Sequence, residues 1–197
     1  MSSRRIRPVA RVYLIRHGKP ASSWGEADED PGLDATGLAQ ARRARDQLLS
    51  GRQPDRPRLV VSSPLRRCRE TAGPLAEALG LLAEIDPRVG EIPTPAGLSA
   101  EERPDWLREA FQGRWSDIKG DLDYEAWRTA IVESLIPRGG TAVFSHYVAI
   151  NAVVSKLTGE DRVLAFRPDH ASITVLETDG ITLRLVSRGD EAATQVL

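Results

Sequence analysis

The chain of 197 residues contains a single cysteine, Cys68, so no intrachain disulfide can close and no thiolate-based zinc site can be assembled. A reducing cytosol is the expected compartment. Long apolar runs are also missing: nothing approaches the roughly eighteen residues a membrane span needs. The opening stretch MSSRRIRPVARVYLIRHG has no apolar core ahead of a small-residue cleavage site, so it is not expected to act as a secretory signal. Charge of one sign is not in excess either. With 27 basic and 28 acidic side chains the net charge is −1, which provides no global field for drawing in nucleic acid. Lysine is scarce, occurring only at 19, 119 and 156, so that 27 basic residues less three lysines leaves 24 arginines. Most of that bias reads as coding preference, although arginine is also the side chain that grips phosphate bidentately.

What is present describes an ordinary globular chain, 41% hydrophobic, expected to form one domain over 1–197 that buries about 70% of its unfolded surface. Val9 to Ile15 is a β-branched, apolar run ending in Arg16-His17-Gly18, the pattern of a buried strand delivering polar residues to its C-terminal end. Asp34 or Thr36 can cap a helix with apolar positions Leu38, Ala41, Ala44, Leu48 and Leu49, ended by Gly51. Arg58–Ser62 reads as a second strand, and Ser63-Pro64 as the cap and first position of a helix running to Leu79 and Gly80, with Pro74 kinking it. Leu81–Ile85 is a candidate third strand. From Pro93 to about Ile136 the pattern is helical and aromatic, an inserted cap in which Trp106, Phe111 and Trp115 read as core. Thr141–Ser145 is a strand ending in His146, followed by a helix closed by Gly159. Ser172–Thr178 and Ile181–Val186 predict a hairpin on a two-residue Asp179-Gly180 turn. The implied fold is α/β: a three-layer sandwich with a mainly parallel central sheet, an antiparallel edge hairpin and a helical cap insertion over 93–136.

In such sheets ligands sit beyond the carboxyl ends of the strands, where this chain places Arg16-His17, Ser62-Ser63 with an arginine-bearing helix, and Ser145-His146. Two arginines and two histidines in one crevice, with two helix N-termini aimed at it, predict a site for a dianionic phosphoryl group. A neutral imidazole is a good nucleophile near pH 7, and His17 is the candidate, its second nitrogen donating to a backbone carbonyl. Arg16 and the helix arginine are expected to hold the equatorial oxygens, each worth on the order of 10²–10³ in rate. The leaving oxygen needs a proton from a carboxyl of raised pKa. Glu91, before Pro93 and Pro95, is the candidate by position, with Glu84 and Asp86 as competitors.

Leu14-Ile-Arg-His-Gly18, Leu33-Asp-Ala-Thr-Gly37 with Gln40-Ala41, Ser62-Ser-Pro-Leu-Arg-Arg-Cys-Arg-Glu-Thr-Ala72 and Phe144-Ser-His146 together resemble the histidine phosphatase superfamily, also called phosphoglycerate-mutase-like. The resemblance implies His17 as the phosphohistidine, Arg16, Arg67 and His146 as the phosphate pocket, and Glu91 as proton donor. Pro168-Asp-His-Ala-Ser-Ile173 resembles a family segment near the site. The chain departs from the family at three places: Cys68 stands for an alanine, Ser23 occupies the place of the usual asparagine, and Tyr147 follows the second histidine where glycine is common. Ser23 and Tyr147 are carried as substrate-binding positions.

The reading calls for no cofactor and no metal. His17, His146, His170 and Glu91 have ligand chemistry, but paired arginines repel a cation. His170 reads as structural or as a pocket wall. Arg4, Arg5 and Arg7 read as a frayed terminus rather than a nucleic-acid arm, and Arg188-Gly-Asp190 carries no adhesion meaning. The expected function is metal-independent hydrolysis of a small phosphorylated metabolite. A mutase, a protein phosphohistidine phosphatase and a non-catalytic phospho-ligand module are the alternatives.

Overall fold

The chain's fold is given by a computed structural model that describes residues 8–22, 30–52, 55–99 and 101–193. Its elements in chain order are β1 (Ala10–Arg16), α1 (Ala35–Ser50), β2 (Leu59–Ser62), α2 (Arg66–Leu79), β3 (Glu84–Ile85), α3 (Arg103–Gln112), α4 (Tyr124–Leu135), β4 (Thr141–Ser145), α5 (Tyr147–Thr158), β5 (Ile173–Thr178) and β6 (Leu183–Ser187), with single 3-10 turns at Pro87–Val89 and Trp115–Asp117. The six strands form one sheet in the order β3-β2-β4-β1-β5-β6. β1, β2, β3 and β4 run parallel, while β5 pairs antiparallel with β1 and β6 antiparallel with β5. This is the expected α/β sandwich.

Strand periodicity sorts the core into two layers. Val12, Leu14, Val61, Val143 and Leu176 point to one face, against α5 and the Ile131 and Leu135 side chains of α4. Tyr13, Ile15, Val60, Ala142 and Phe144 point to the other, against Leu48 of α1 and Cys68, Ala72 and Leu75 of α2. Full burial of each large apolar side chain contributes about 1.5–3 kcal/mol. β4, between β1 and β2, is buried at all five positions, as the uninterrupted run from Thr141 predicts.

Three expectations change. The helix after β2 begins at Arg66 with Leu65 at its cap and no capping side chain; Ser63 lies two residues before the cap, its Oγ accepting from Leu65 N at 3.4 Å and from His146 Nε2–H at 2.7 Å. As expected, α2 runs to Leu79 with Pro74 inside it, and Gly80 at φ 66 closes it. The third strand shrinks to Glu84–Ile85, since Leu81 and Leu82 face solvent. The hairpin turn spans four residues, with Thr178 paired to Leu183, because Asp179 Oδ1 accepts from Ile181 N and Thr182 N and widens it. In α1, Asp34 rather than Thr36 is the cap, accepting from Gly37 N at 2.7 Å, and Gly37 is buried while Leu38 is exposed.

Candidate active site

The parallel strands end at one edge of the sheet, and β1, β2 and β4 deliver Arg16-His17, Ser62-Ser63 and Ser145-His146 to the same place. His17 N donates to Ser145 O at 3.0 Å and Ser63 N to Phe144 O at 3.0 Å, so the three chain ends are stitched together by backbone bonds. The rings of His17 and His146 lie 5.3 Å apart, edge to face.

Two glycines explain why separate motifs belong together. A Cβ on Gly18 would sit 2.7 Å from Gly37 O, and one on Gly37 would collide with Lys19 O. The start of α1 is therefore pressed directly on the turn after His17. Gln40 Oε1 accepts from Lys19 N at 2.8 Å and Thr71 Oγ1 accepts from Gly18 N at 2.9 Å, so α1 and α2 both hold that turn by hydrogen bonds.

The same turn sets the tautomer of His17. Its Nδ1 lies 2.8 Å from Gly18 O, and since a carbonyl only accepts, Nδ1 carries the proton and Nε2 keeps its lone pair. Burial, then the neighbouring His146, Arg16 and Arg67, push the His17 pKa well below its ordinary value of 6.5, so the ring is neutral at physiological pH. His146 is pushed down likewise, by burial and by Arg67, Arg103 and Arg16. Its Nδ1 faces Arg67 Nη2 at 3.4 Å, which makes it an acceptor there, and its Nε2–H donates to Ser63 Oγ at 2.7 Å.

Arg16 and Arg67 are both 4% exposed. Arg16 Nη1 donates to Pro168 O and Nη2 to His170 Nε2, each at 3.0 Å, and its guanidinium lies 4.9 Å above the centre of the Tyr147 ring. Burial draws its pKa down to about 10, which leaves it charged at neutral pH. Among the described residues, Arg16 Nε, Arg67 Nε and Glu91 Oε2 are buried polar atoms with no hydrogen-bond partner. Such atoms are rare in native proteins, and three in one crevice mark a place built for a polar ligand.

Glu91 lies in this group, with Oε1 accepting from Ile92 N at 3.0 Å and Oε2 at 3.9 Å from His146 Nδ1. Burial raises its pKa against the lowering influence of Ile92 N–H, Arg67, Arg103 and Arg16. The competitors lie elsewhere: Asp86 is held by Arg88 and Arg138, and Glu84 pairs with Arg138 from an exposed position. His170 stands beside His17, ring centres 5.9 Å apart. Ser23 lies outside the described residues, as do Arg4, Arg5 and Arg7. Among the described residues no group of three or more His, Cys, Asp and Glu side chains is placed to hold a metal ion.

Three contributors escape the sequence. Ser63 reads as a helix cap but holds His146. Arg103, at the start of α3, donates to Ile92 O at 3.2 Å and its charge acts on Glu91 and His146; no motif distinguishes it from the chain's other arginines. Cys68 donates to Ser145 O at 3.3 Å and packs its sulfur 3.3 Å from His146 Nε2, with burial pushing the thiol pKa up.

Comparison with known proteins places the chain in a family. Residues 12–191 match the family model of the histidine phosphatase superfamily, branch 1, and the chain belongs to that family. A protein of Mycobacterium tuberculosis, "Uncharacterized protein Rv0525", is 30% identical over 167 residues, 76% of this chain and 79% of its own. "Probable phosphoglycerate mutase GpmB" of Escherichia fergusonii is 27% identical over 173 residues, covering 77% and 76%. Among solved structures, a mycobacterial glucosyl-3-phosphoglycerate phosphatase in complex with VO3 is 25% identical, with a TM-score of 0.69 over 92% of this chain and 100% of that one. No described helix is long and apolar enough to cross a membrane.

Proposed function

We propose that the protein is a metal-independent phosphatase that hydrolyses phosphate monoesters through a phosphohistidine on His17. The observation that carries this is the free lone pair on His17 Nε2, fixed by the Nδ1–H bond to Gly18 O, in a crevice shared with Arg16, Arg67 and His146. In the first step Nε2 attacks phosphorus as the bond to the ester oxygen breaks, and protonated Glu91 gives its proton to that oxygen. In the second, a water attacks phosphorus, the Glu91 carboxylate takes its proton, the N–P bond breaks and phosphate leaves. Arg16 and Arg67 carry the charge spread over the equatorial oxygens, and His146, its own N–H held by Ser63, lines the pocket and faces Arg67 through Nδ1. Uncatalysed monoester hydrolysis is so slow that its acceleration approaches 10²¹-fold, and dividing the reaction in two at a preformed cationic site is the route this chemistry offers.

The substrate class is a small phosphorylated metabolite in the cytoplasm. The whole chain serves as one domain, with residues 93–136 as the cap, its α3 toward the alcohol side of the ester and its α4 packed on the sheet, and with Tyr147 behind Arg16. Support comes from the phosphatase among the structural neighbours. The relatives named phosphoglycerate mutases favour a second reading, return of the phosphoryl group to an isomer.

The test is turnover of p-nitrophenyl phosphate in EDTA, with a rapid quench in alkaline SDS to trap phosphoprotein. Wild type is expected to turn over and to show acid-labile phosphate, and His17→Ala to lose at least about 10⁴-fold. Activity removed by EDTA, or retained by His17→Ala, would falsify the proposal. Conversion of 3-phosphoglycerate to its 2-isomer faster than release of inorganic phosphate decides for the mutase.

A further inference from the structure

The two arginines of the crevice are held very differently. Arg67 has one long contact, to His146 at 3.4 Å. Arg16 is bounded on three sides by Pro168 O, by His170 Nε2 and by the face of Tyr147. Pro168 and His170 belong to one turn, closed by Ser172 N donating to Asp169 O at 3.1 Å. That turn is fastened to the backbone it serves: Ala171 N donates to Arg16 O at 3.1 Å and to His17 O at 3.3 Å, while Arg16 N donates to Ser172 O at 3.3 Å. Ala171 takes φ 58 to do this, the one non-glycine residue among those described with positive φ, and such strain persists where the surroundings over-determine it.

A guanidinium has only donors, so the 3.0 Å contact requires a lone pair on His170 Nε2. Burial, then Arg16, pull the His170 pKa down to about 4, while Lys19 lowers and Asp169 and Asp34 raise it. The ring is therefore neutral and able to accept at physiological pH. Tyr147 presents its ring, backed by Phe111 at 5.8 Å between centres, to the guanidinium plane, a placement that fixes tilt as the hydrogen bonds fix direction.

We propose that His170, with Tyr147 beneath, is a positioning residue that holds Arg16 so that its guanidinium meets the phosphoryl group at His17. Neither side chain needs to touch substrate. The inference rests on the phosphoryl-transfer reading of the site and adds a reason for the departure at Tyr147: an aromatic face where the family has glycine gives Arg16 a platform.

The test uses the full chain in EDTA, with inorganic phosphate as the titrated ligand, p-nitrophenyl phosphate for kcat and KM, and melting temperature as the control for folding. His170→Leu, which keeps bulk and loses the acceptor, is expected to weaken phosphate binding about ten-fold, the order of a hydrogen bond to a charged group. His170→Asn, which restores an acceptor oxygen, is expected to recover most of it. Tyr147→Leu, which removes the aromatic face, is expected to lose about three-fold. If His170→Leu does not fold, His170→Ala replaces it in the comparison with His170→Asn. A packing role alone would lower the melting temperature without separating Asn from the apolar variants. Phosphate affinity unchanged in the apolar variant, or equally lost in His170→Asn, overturns the inference and leaves the phosphatase reading intact. Phosphate bound and lost as expected, with no phosphohistidine formed, upholds it and sinks the phosphatase reading; a wild-type protein that binds no phosphate overturns both.

Discussion

The floor of the crevice and its rim are built to different standards. On the floor, Ser62, Ser63, Ser145 and His146 are fully buried, two glycines meet at distances that admit no side chain, and α5 is buried at every position from Tyr147 to Ser155. At the rim, α3 buries only Leu107 and Ala110, and Glu91 sits on an irregular stretch anchored by its own Ile92 N–H. The proposed nucleophile is over-determined by packing; the proposed proton donor depends on burial and a few charges. Under the proposed reaction, a floor of this kind would serve any phosphate ester, and the rim would decide which one.

The sharpest way to break the comparison is to remove one floor cation. Arg67→Met is expected to lower kcat/KM for p-nitrophenyl phosphate by on the order of 10²–10³ without lowering the melting temperature, because Arg67 Nε is buried without a partner and a buried charge poorly paired in the resting protein opposes folding. A large fall in melting temperature with little loss of rate would show the floor to be structural. At the rim, Glu91→Gln is expected to cost about 10²-fold on alkyl phosphates and far less on p-nitrophenyl phosphate, whose leaving group needs no proton. The wild-type phosphorylation step falls as pH rises through the raised Glu91 pKa; Glu91→Gln lacks that limb. Equal losses on both substrates would remove Glu91 as proton donor.

The floor is legible in the sequence because close packing leaves its residues little choice. Arg16-His17-Gly18 must follow a buried strand, and Gly37 must be glycine because Lys19 O occupies the space of its side chain; constraints of that kind write themselves as short motifs. Thr141–Ser145 was readable to the residue for the same reason. Where a local rule met a stronger tertiary partner, the reading failed. Ser63-Pro64 has the composition of a helix cap, yet the serine hydroxyl serves His146, and Asp179-Gly180 has that of a tight turn, yet Asp179 bonds two amides beyond it. Arg103 was invisible, since its place depends on how α3 lies over Ile92, and helix amphipathicity alone does not fix that.

A smaller effect sharpens the contrast through stability. Gly37→Ala forces a methyl against Lys19 O and is expected to destabilise the floor by about 2 kcal/mol, as overpacking of a rigid site does. Gly113→Ala, at the end of α3, meets its nearest neighbour at 3.7 Å with φ −103, ordinary contact in ordinary backbone, and is expected within ±0.5 kcal/mol of wild type. Chemical denaturation measures both, and equal values would erase the distinction between the two regions.

The smallest expected effect separates them by sign. His17 and His146 have pKa values below the ordinary 6.5 in the folded chain, so below that pH the unfolded chain binds more protons. Their contribution is complete above about pH 6.5 and is lost as pH falls toward the folded values. Glu91 is raised above 4.5, so its contribution is complete below about pH 4.5 and is lost as pH rises through the folded value. From about pH 4.5 upward the Glu91 slope opposes that of the two histidines, so melting temperature is expected to change there by only a few degrees. Glu91→Gln should remove the opposing slope and so steepen the rise of melting temperature with pH above about pH 4.5, because the amide cannot ionise while both histidines remain. His17→Asn should instead shallow the acid slope. If Glu91→Gln leaves that slope unchanged or makes it shallower, the carboxyl is not held protonated by burial, and the rim has no acid to offer the leaving oxygen.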